Sequence, residues 1–250
     1  MADPNKACYQ DNKVVYTYAR ADYLLKPEVM LLYKFEERLK SMRMLDIGVG
    51  GGRTTRYFAH RVNSYIGIDY SEKMVEACQK KYPDLEFLLC DVRHMEPFED
   101  NSFDLILFSF NGIDCISHDD RLKALQEIRR VCKKPGGIFF FSSHNLNCIP
   151  DYFSLKYSLD PFIFCFNLCK YVLLRINNIN IRRDSGYAII KDGANYFRAS
   201  HYYISPKEQI SQLKNAGFSN IRLFKSDSGT EIIEEIQSNH DLWIHYLCES

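Results

Sequence analysis

The chain has 250 residues, of which 46% are hydrophobic, enough for one large domain with a sizeable core. Lys and Arg number 32 and Asp and Glu also 32, so the chain lacks the global positive field of a general nucleic-acid binder. Nine cysteines, an odd number without a Cys-x-x-Cys pair or His partners at ligand spacing, argue against a disulfide framework or a metal site and for reduced, buried thiols in a cytoplasmic protein.

In chain order, residues 1–22 are polar with tyrosines at 9, 16 and 18, and they lead into no apolar signal core. Helical apolar spacing runs from Leu24 to Leu39, so residues 1–40 read as an N-terminal helical cap. An alternation follows. Arg43–Ile47, Ser64–Ile68, Leu85–Cys90, Phe103–Phe108 and Ile138–Ser142 read as strands. Between them, helices are expected over Arg53–Arg61, from a Ser71 cap to Lys81, and from a Ser117 capping box with Asp120 to Val131. This rhythm specifies βαβ units and a parallel sheet covered on both faces.

Residues 145–204 break the rhythm and read as a lid or substrate insertion. A helix is expected over 161–175, and Gly186–Ile190 and Tyr196–Ile204 would form a hairpin about an Asp192-Gly193 turn. The stripe Phe162, Phe164, Phe166 and Tyr171 reads as packing within that lid. The most apolar segment, 161–174, is too short to span a bilayer and holds Asn167 and Lys170, so no membrane insertion is expected. Two basic clusters, one at Arg129, Arg130, Lys133 and Lys134 and one at Arg182 and Arg183, read as solvated surface. Ser205-Pro206-Lys207-Glu208 then starts a helix that Gly217 ends, and Ile221–Phe224 and Leu242–Cys248 supply two last strands.

Met44 to Gly52 closes the first strand with the glycines Gly48, Gly50 and Gly52. Glycines turn the backbone sharply, and the helix start beyond offers free N–H groups to a ligand. Asp69, 21 residues after Gly48, ends the second strand, where a carboxylate can grip both ribose hydroxyls. The third glycine of the dinucleotide fingerprint is replaced by Arg53. Asp46 lies two residues before Gly48; it would repel a pyrophosphate but tolerates an amino acid's ammonium. These features select S-adenosylmethionine over a dinucleotide.

Asp46–Gly52 resembles motif I of the class I S-adenosylmethionine-dependent methyltransferases. Asp69–Met74, Cys90-Asp91-Val92, Phe103–Phe108 and Leu125–Gly137 are similar to that family's later motifs and fall in the same order, over about residues 40–145. The likeness is greatest to the small-molecule branch that includes the ubiquinone and menaquinone methyltransferases. It implies a single α/β domain over 1–250, a doubly wound Rossmann-like sheet of seven strands in the order 3-2-1-4-5-7-6, with a helical and β-hairpin insertion after strand five. It further implies a cofactor site of Asp46, Gly48, Gly50, Gly52, Asp69, Tyr70, Met74, Asp91, Val92, Ser109 and Phe110, with Tyr18 reaching in from the N-terminal segment.

The acceptor should lie beyond the carboxyl ends of the strands. Strand four ends at Ser109-Phe110-Asn111-Gly112, without the Asn/Asp-Pro-Pro-aromatic motif of base-methylating relatives, and Asn111 is a candidate to orient an acceptor. His144, just after strand five, is the candidate general base. Alternation sends His201 and Tyr203 to one face of their strand, so His201 is a further candidate. The expected reaction is methyl transfer to an oxygen or nitrogen of a small metabolite. The alternatives are a silent cofactor-binding regulator, or an RNA or protein methyltransferase.

Overall fold

The computed structural model describes residues 4–179, 181, 186–234 and 236–250. Five parallel strands form the centre: β1 (Arg43–Ile47), β2 (Ser64–Asp69), β3 (Glu86–Leu89), β4 (Leu105–Phe108) and β5 (Ile138–Asn145). The hairpin strands β6 (Tyr187–Ile190) and β7 (His201–Ile204) and the last pair, β8 (Ser219–Lys225) and β9 (Trp243–Glu249), complete the described sheet. The main path runs β3-β2-β1-β4-β5-β9-β8, with β9 antiparallel to both neighbours. Counting only these seven strands, this is the order 3-2-1-4-5-7-6.

At its far end the sheet branches. β4 pairs with residues 138–141 of β5, and β9 pairs with residues 138–144 along the opposite edge. β5 outruns β4, and the vacated edge at His144 and Asn145 is taken by Tyr203 and Ile204 of β7. His144 therefore has strand partners on both sides, Trp243 and Tyr203.

Buried side chains cover both sheet faces, as continuous apolar strands require. Leu45, Ile47, Ile106, Phe139 and Phe141 pack with Leu125 and Ile128 of α6 (His118–Val131) and Leu213 of α9 (Pro206–Asn215). Met44, Leu105, Leu107 and Phe140 pack with Leu31 and Phe35 of α3 (Lys26–Leu39) and Val75 of α5 (Glu72–Lys81). The expected serine caps are present: Ser71, Ser117 and Ser205 accept backbone N–H groups from Met74, Asp120 and Glu208. Ahead of the sheet, the short helix α1 (Pro4–Tyr9) bonds to Ser71 and Cys115, and α2 (Asn12–Arg20) lies against the glycine loop.

Several expectations are corrected. The helix over Arg53–Arg61 shrinks to α4 (Thr55–Phe58) and a 3-10 turn at Ala59–Arg61. Strand five continues to Asn145, so His144 lies inside it, held by the two-sided pairing that local pattern does not reveal. β6 and β7 do form a hairpin, but no two-residue turn joins them. The connection runs from 191 to 200, with Asn195, Tyr196 and Phe197 at positive φ. The insertion also holds α7 (Ile149–Tyr152) and α8 (Pro161–Asn177). The α8 stripe does not pack away: Phe162 and Phe166 are exposed, and Leu174 is the helix's buried residue. Cys165 and Cys169 are likewise exposed rather than buried. Arg129, Arg130 and Lys133 bind Gly217, Glu127 and Asp104. The cluster at Arg182 and Arg183 lies outside the described residues.

Candidate functional site

Beyond the ends of β1, β2 and β4 lies a cleft of about 710 Å³, counted with the solvent space at its mouth. Ile47, Gly48, Gly50, Asp69, Tyr70 and Met74 line it on one side. Asp91, Val92, Ser109, Phe110 and the N-terminal tyrosines Tyr9 and Tyr18 line the other. The glycine turn and the strand-end acid form one unit: the Gly50 N–H donates to Asp69 Oδ2 at 2.9 Å, and the Ser71 N–H donates to Oδ1 at 2.8 Å. Gly50 holds φ of 55°, where a Cβ is strained. Burial raises the Asp69 carboxyl to about 6, against those amide hydrogen bonds. A ligand with hydroxyl donors at this carboxylate would favour its charged form.

Not every expected contact meets this cleft. Asp46 lines a neighbouring pocket with Arg53, Thr54 and Tyr18, and it accepts hydrogen bonds from Thr54 Oγ1 at 2.6 Å and the Tyr65 hydroxyl at 2.8 Å. Burial raises it, too, to about 6. Gly52 lines none of these cavities; an added Cβ would lie 2.8 Å from the Tyr82 ring. Asp91 faces the cleft while paired with Arg93, which also bridges to Asp120. Tyr16 lies outside, exposed, with Arg20 donating to its hydroxyl.

The Arg53 that stands in place of a third glycine has a structural use. With Glu28 it forms a buried ion pair at 2.5 Å and donates to Ser109 Oγ at 2.9 Å, tying α3 to the ends of β1 and β4. The loop is capped from above: at Gly51 a Cβ would lie 2.3 Å from the Ala19 backbone nitrogen, so the end of α2 rests directly on the turn.

Next to the cleft is a wider chamber of about 1750 Å³, bounded by the insertion and by Asn111, His144, His201, Tyr203 and Trp243. Tyr9, Tyr18, Phe110 and Cys115 line both spaces, so the two meet there. Phe110 and Asn111 both have positive φ, 53° and 57°, a strained pair of the kind found at working sites. The fold holds them there: the Asn111 N–H donates to Ser142 Oγ at 2.9 Å, and the Phe110 ring sits edge-on to Trp243 at 5.1 Å.

His144 is held by Asp114, a buried acid from the 3-10 turn after β4. Asp114 Oδ2 accepts from the His144 backbone N–H at 2.7 Å and contacts Nδ1 at 2.8 Å. Its Oδ1 takes Arg121 at 2.6 Å and the Ser143 hydroxyl at 2.7 Å. Burial opposes the charge on Asp114, but Arg121 and His144 outweigh it and hold the acid below its ordinary range. A proton on Nδ1 directed at Asp114 leaves Nε2 as an acceptor, and the Asn111 amide stands 3.4 Å from it. Asn111 Oδ1 is buried without a hydrogen-bond partner among the described residues.

His201 sits behind His144, the rings 5.3 Å apart and nearly parallel. Its Nδ1 lies 2.9 Å from Asp192 Oδ2, to which the Tyr203 hydroxyl also donates at 3.0 Å. Burial disfavours a charged His201, but Asp192 and Cys115 outweigh it and lift the ring to about 10; Asp192 is held at about 2. Atoms of His144, Asp192 and His201 lie within 4.8 Å of one another, close enough for a divalent ion. The sequence does not single out Tyr9 or Trp243; Asp114, Cys115 and Asp192 fall within the segments 109–116 and 150–204 expected to shape the acceptor site, but their individual contacts are not foreseen, and Asp192 reads as a turn residue.

The chain matches a family model described as a methyltransferase domain over residues 45–141. It is 35% identical over 95 residues to a demethylmenaquinone methyltransferase of Renibacterium salmoninarum, covering 38% of each chain. It thus spans less than half the length of the curated relatives it matches first. A methyltransferase structure from Clostridium acetobutylicum superposes with a TM-score of 0.64 at 17% identity, covering 95% of this chain and 98% of that one. The 1,6-didemethyltoxoflavin-N1-methyltransferase of Burkholderia thailandensis, solved with its acceptor and S-adenosylhomocysteine, gives 0.58 at 15% identity, covering 98% and 84%. Its sheet order, its glycine turn bonded to a strand-end acid, and these matches identify residues 45–141 as a methyltransferase domain and give the chain the Rossmann-like fold of S-adenosylmethionine-dependent methyltransferases.

Proposed function

We propose that the protein transfers a methyl group from S-adenosylmethionine to an oxygen or nitrogen atom of a small molecule held in the chamber, with His144 taking the acceptor's proton. The observation that carries this reading is the junction of the two spaces: a cleft with a carboxylate suited to a ribose opens, beside Phe110 and Tyr18, onto a chamber containing an oriented histidine.

The cofactor supplies an electrophilic methyl group on a sulfonium. The chain's residues supply the rest. Asp69 would grip the ribose hydroxyls, Met74 and Val92 would offer an apolar seat to the base, and Asp46 would face the cationic amino-acid end through its own pocket. Tyr9 and Tyr18 close the cleft from above and limit water. Alignment of two reactants in such a site can supply about 7–11 kcal/mol of the barrier, and a placed base about 10²–10⁴-fold more. His144 Nε2 is directed at the chamber, and Asp114 would stabilise the imidazolium formed as it takes the proton. Asn111 Oδ1 offers an open acceptor for a donor on the substrate. The insertion over 145–204 would supply the acceptor wall.

Calorimetry with S-adenosylhomocysteine, followed by assay of methyl transfer across hydroxyl and amine metabolites, tests the reading. Micromolar binding with turnover of any acceptor upholds it. Binding without turnover of any acceptor points to a silent regulator. Absence of adenosyl-ligand binding overturns the reading altogether.

A further inference from the structure

The helix α8 has the sequence PFIFCFNLCKYVLLRIN and is apolar on nearly all sides, a pattern that belongs inside a core or a membrane rather than in water. Here it is on the surface. Among its 17 residues Leu174 is the buried one, while Phe162 is 88% and Phe166 70% exposed. Leu168, Val172 and Ile176, four residues apart, form an exposed outer row. The preceding loop extends the patch. Leu159 is almost fully exposed, and Tyr157 packs on Phe164 at 5.2 Å, with Asn167 of the helix bonded to the Lys156 carbonyl. A contiguous apolar surface of this extent marks an interaction site.

A neighbouring row of the helix, Phe166, Cys169, Lys170 and Leu173, is exposed as well and borders the chamber. The exposed face thus adjoins the acceptor space along one helix.

Charge selects the occupant. Residues 151–198 carry seven Lys and Arg against four Asp and no Glu, in a chain that is neutral as a whole. Three of those acids are engaged, Asp151 with His240, Asp160 as the cap of α8 and Asp192 with His201, while of the bases Arg198 pairs with Asp11. Lys156, Lys170 and Arg175 are exposed beside the apolar rows. A second copy would set these like charges against each other, whereas anionic lipid headgroups attract them. No described helix is long and apolar enough to cross a membrane, so the contact would be superficial.

We infer that α8 and the loop before it dock on an anionic lipid bilayer, from which an amphiphilic acceptor passes into the chamber. The docking stands on the exposed face and its charge; the passage of an acceptor rests on the methyl-transfer reading above.

The full chain is sedimented with vesicles of phosphatidylcholine, with and without phosphatidylglycerol. It should pellet with the anionic vesicles and be released by salt. The double variant Leu168→Glu, Val172→Glu alters only exposed side chains that do not line the chamber. It should partition roughly a hundredfold more weakly, while keeping its affinity for S-adenosylhomocysteine, which shows that the fold is intact. A chain that stays in solution with anionic vesicles overturns the inference. So does a dimer in sedimentation equilibrium that the double variant dissolves, since a second copy would then cover the face. Vesicle binding without affinity for S-adenosylhomocysteine would uphold the docking and remove the methyl-transfer reading instead.

Discussion

One oxygen of Asp114 meets His144 twice, at the backbone N–H and at Nδ1, 2.7 and 2.8 Å away. The histidine's position and its tautomer are thus set by the same carboxylate, as expected of a base that must present Nε2 in a constant direction. His144→Gln should lower kcat by about 10²–10⁴-fold, with S-adenosylhomocysteine affinity unchanged by calorimetry. A kcat within a few-fold of the parent would show that the acceptor loses its proton elsewhere.

Asp69 holds the glycine turn through Gly50 and Ser71 and offers its remaining lone pairs to the cleft. Asp69→Ala should weaken S-adenosylhomocysteine binding by about 1.5–3 kcal/mol, the value of hydrogen bonds to a charged group. Equal dissociation constants for the two proteins would remove this residue from the ribose site.

The same acid gives the binding a pH dependence. Burial raises its pKa to about 6, so the free protein takes up a proton there in mild acid. Hydroxyl donors favour the ionised form. Cofactor affinity should therefore rise as pH increases through 6, and the rise should be shallower in Asp69→Asn. The residual slope would come from Asp46, which titrates in the same range.

For His201 and Asp192 the dependence is one of stability. His201 is raised from 6.5 to about 10 in the folded protein, so its contribution is complete below 6.5 and fades as pH climbs to 10. Asp192 is lowered from 3.8 to about 2, so its contribution is complete above 3.8 and fades toward 2. The melting temperature of the parent should fall more steeply than that of His201→Gln between pH 7 and 10. Parallel curves would show that His201 is neutral at pH 7.

Gly51 is where α2 touches the loop, and a methyl group there would lie 2.3 Å from Ala19. Gly51→Ala should lift the N-terminal segment, making residues 1–22 a preferred protease target and weakening S-adenosylhomocysteine binding as Tyr18 withdraws. Limited proteolysis and calorimetry read the two effects separately. Unaltered cleavage would mean that the helix shifts to accommodate the methyl group.

What the sequence made legible was local. The glycines at 48 and 50 and the serine caps at 71, 117 and 205 act on backbone within a few residues, and each does so in the structure. What it hid depends on distant partners. Asp114 matters through a strand 30 residues further on, and Tyr9 through its place beside the cleft, neither of which leaves a periodic trace. Asp192 shows why a local signal can mislead. Asp-Gly suggested a tight hairpin, but the aspartate instead bonds Ala194 with one oxygen and His201 and Tyr203 with the other, and the chain needs a longer loop to bring it there. The α8 stripe failed for a related reason: spacing gives the helix but not whether anything covers it.

The double-edged pairing at His144 separates two demands that most enzymes must meet with one set of loops. Because β9 grips the strand on one side and β7 on the other, the histidine's backbone is held by strand pairing and not by the segment 146–200 that bounds the chamber. Changes in that segment would then reshape the acceptor wall while leaving the candidate base at a constant distance from the junction at Phe110.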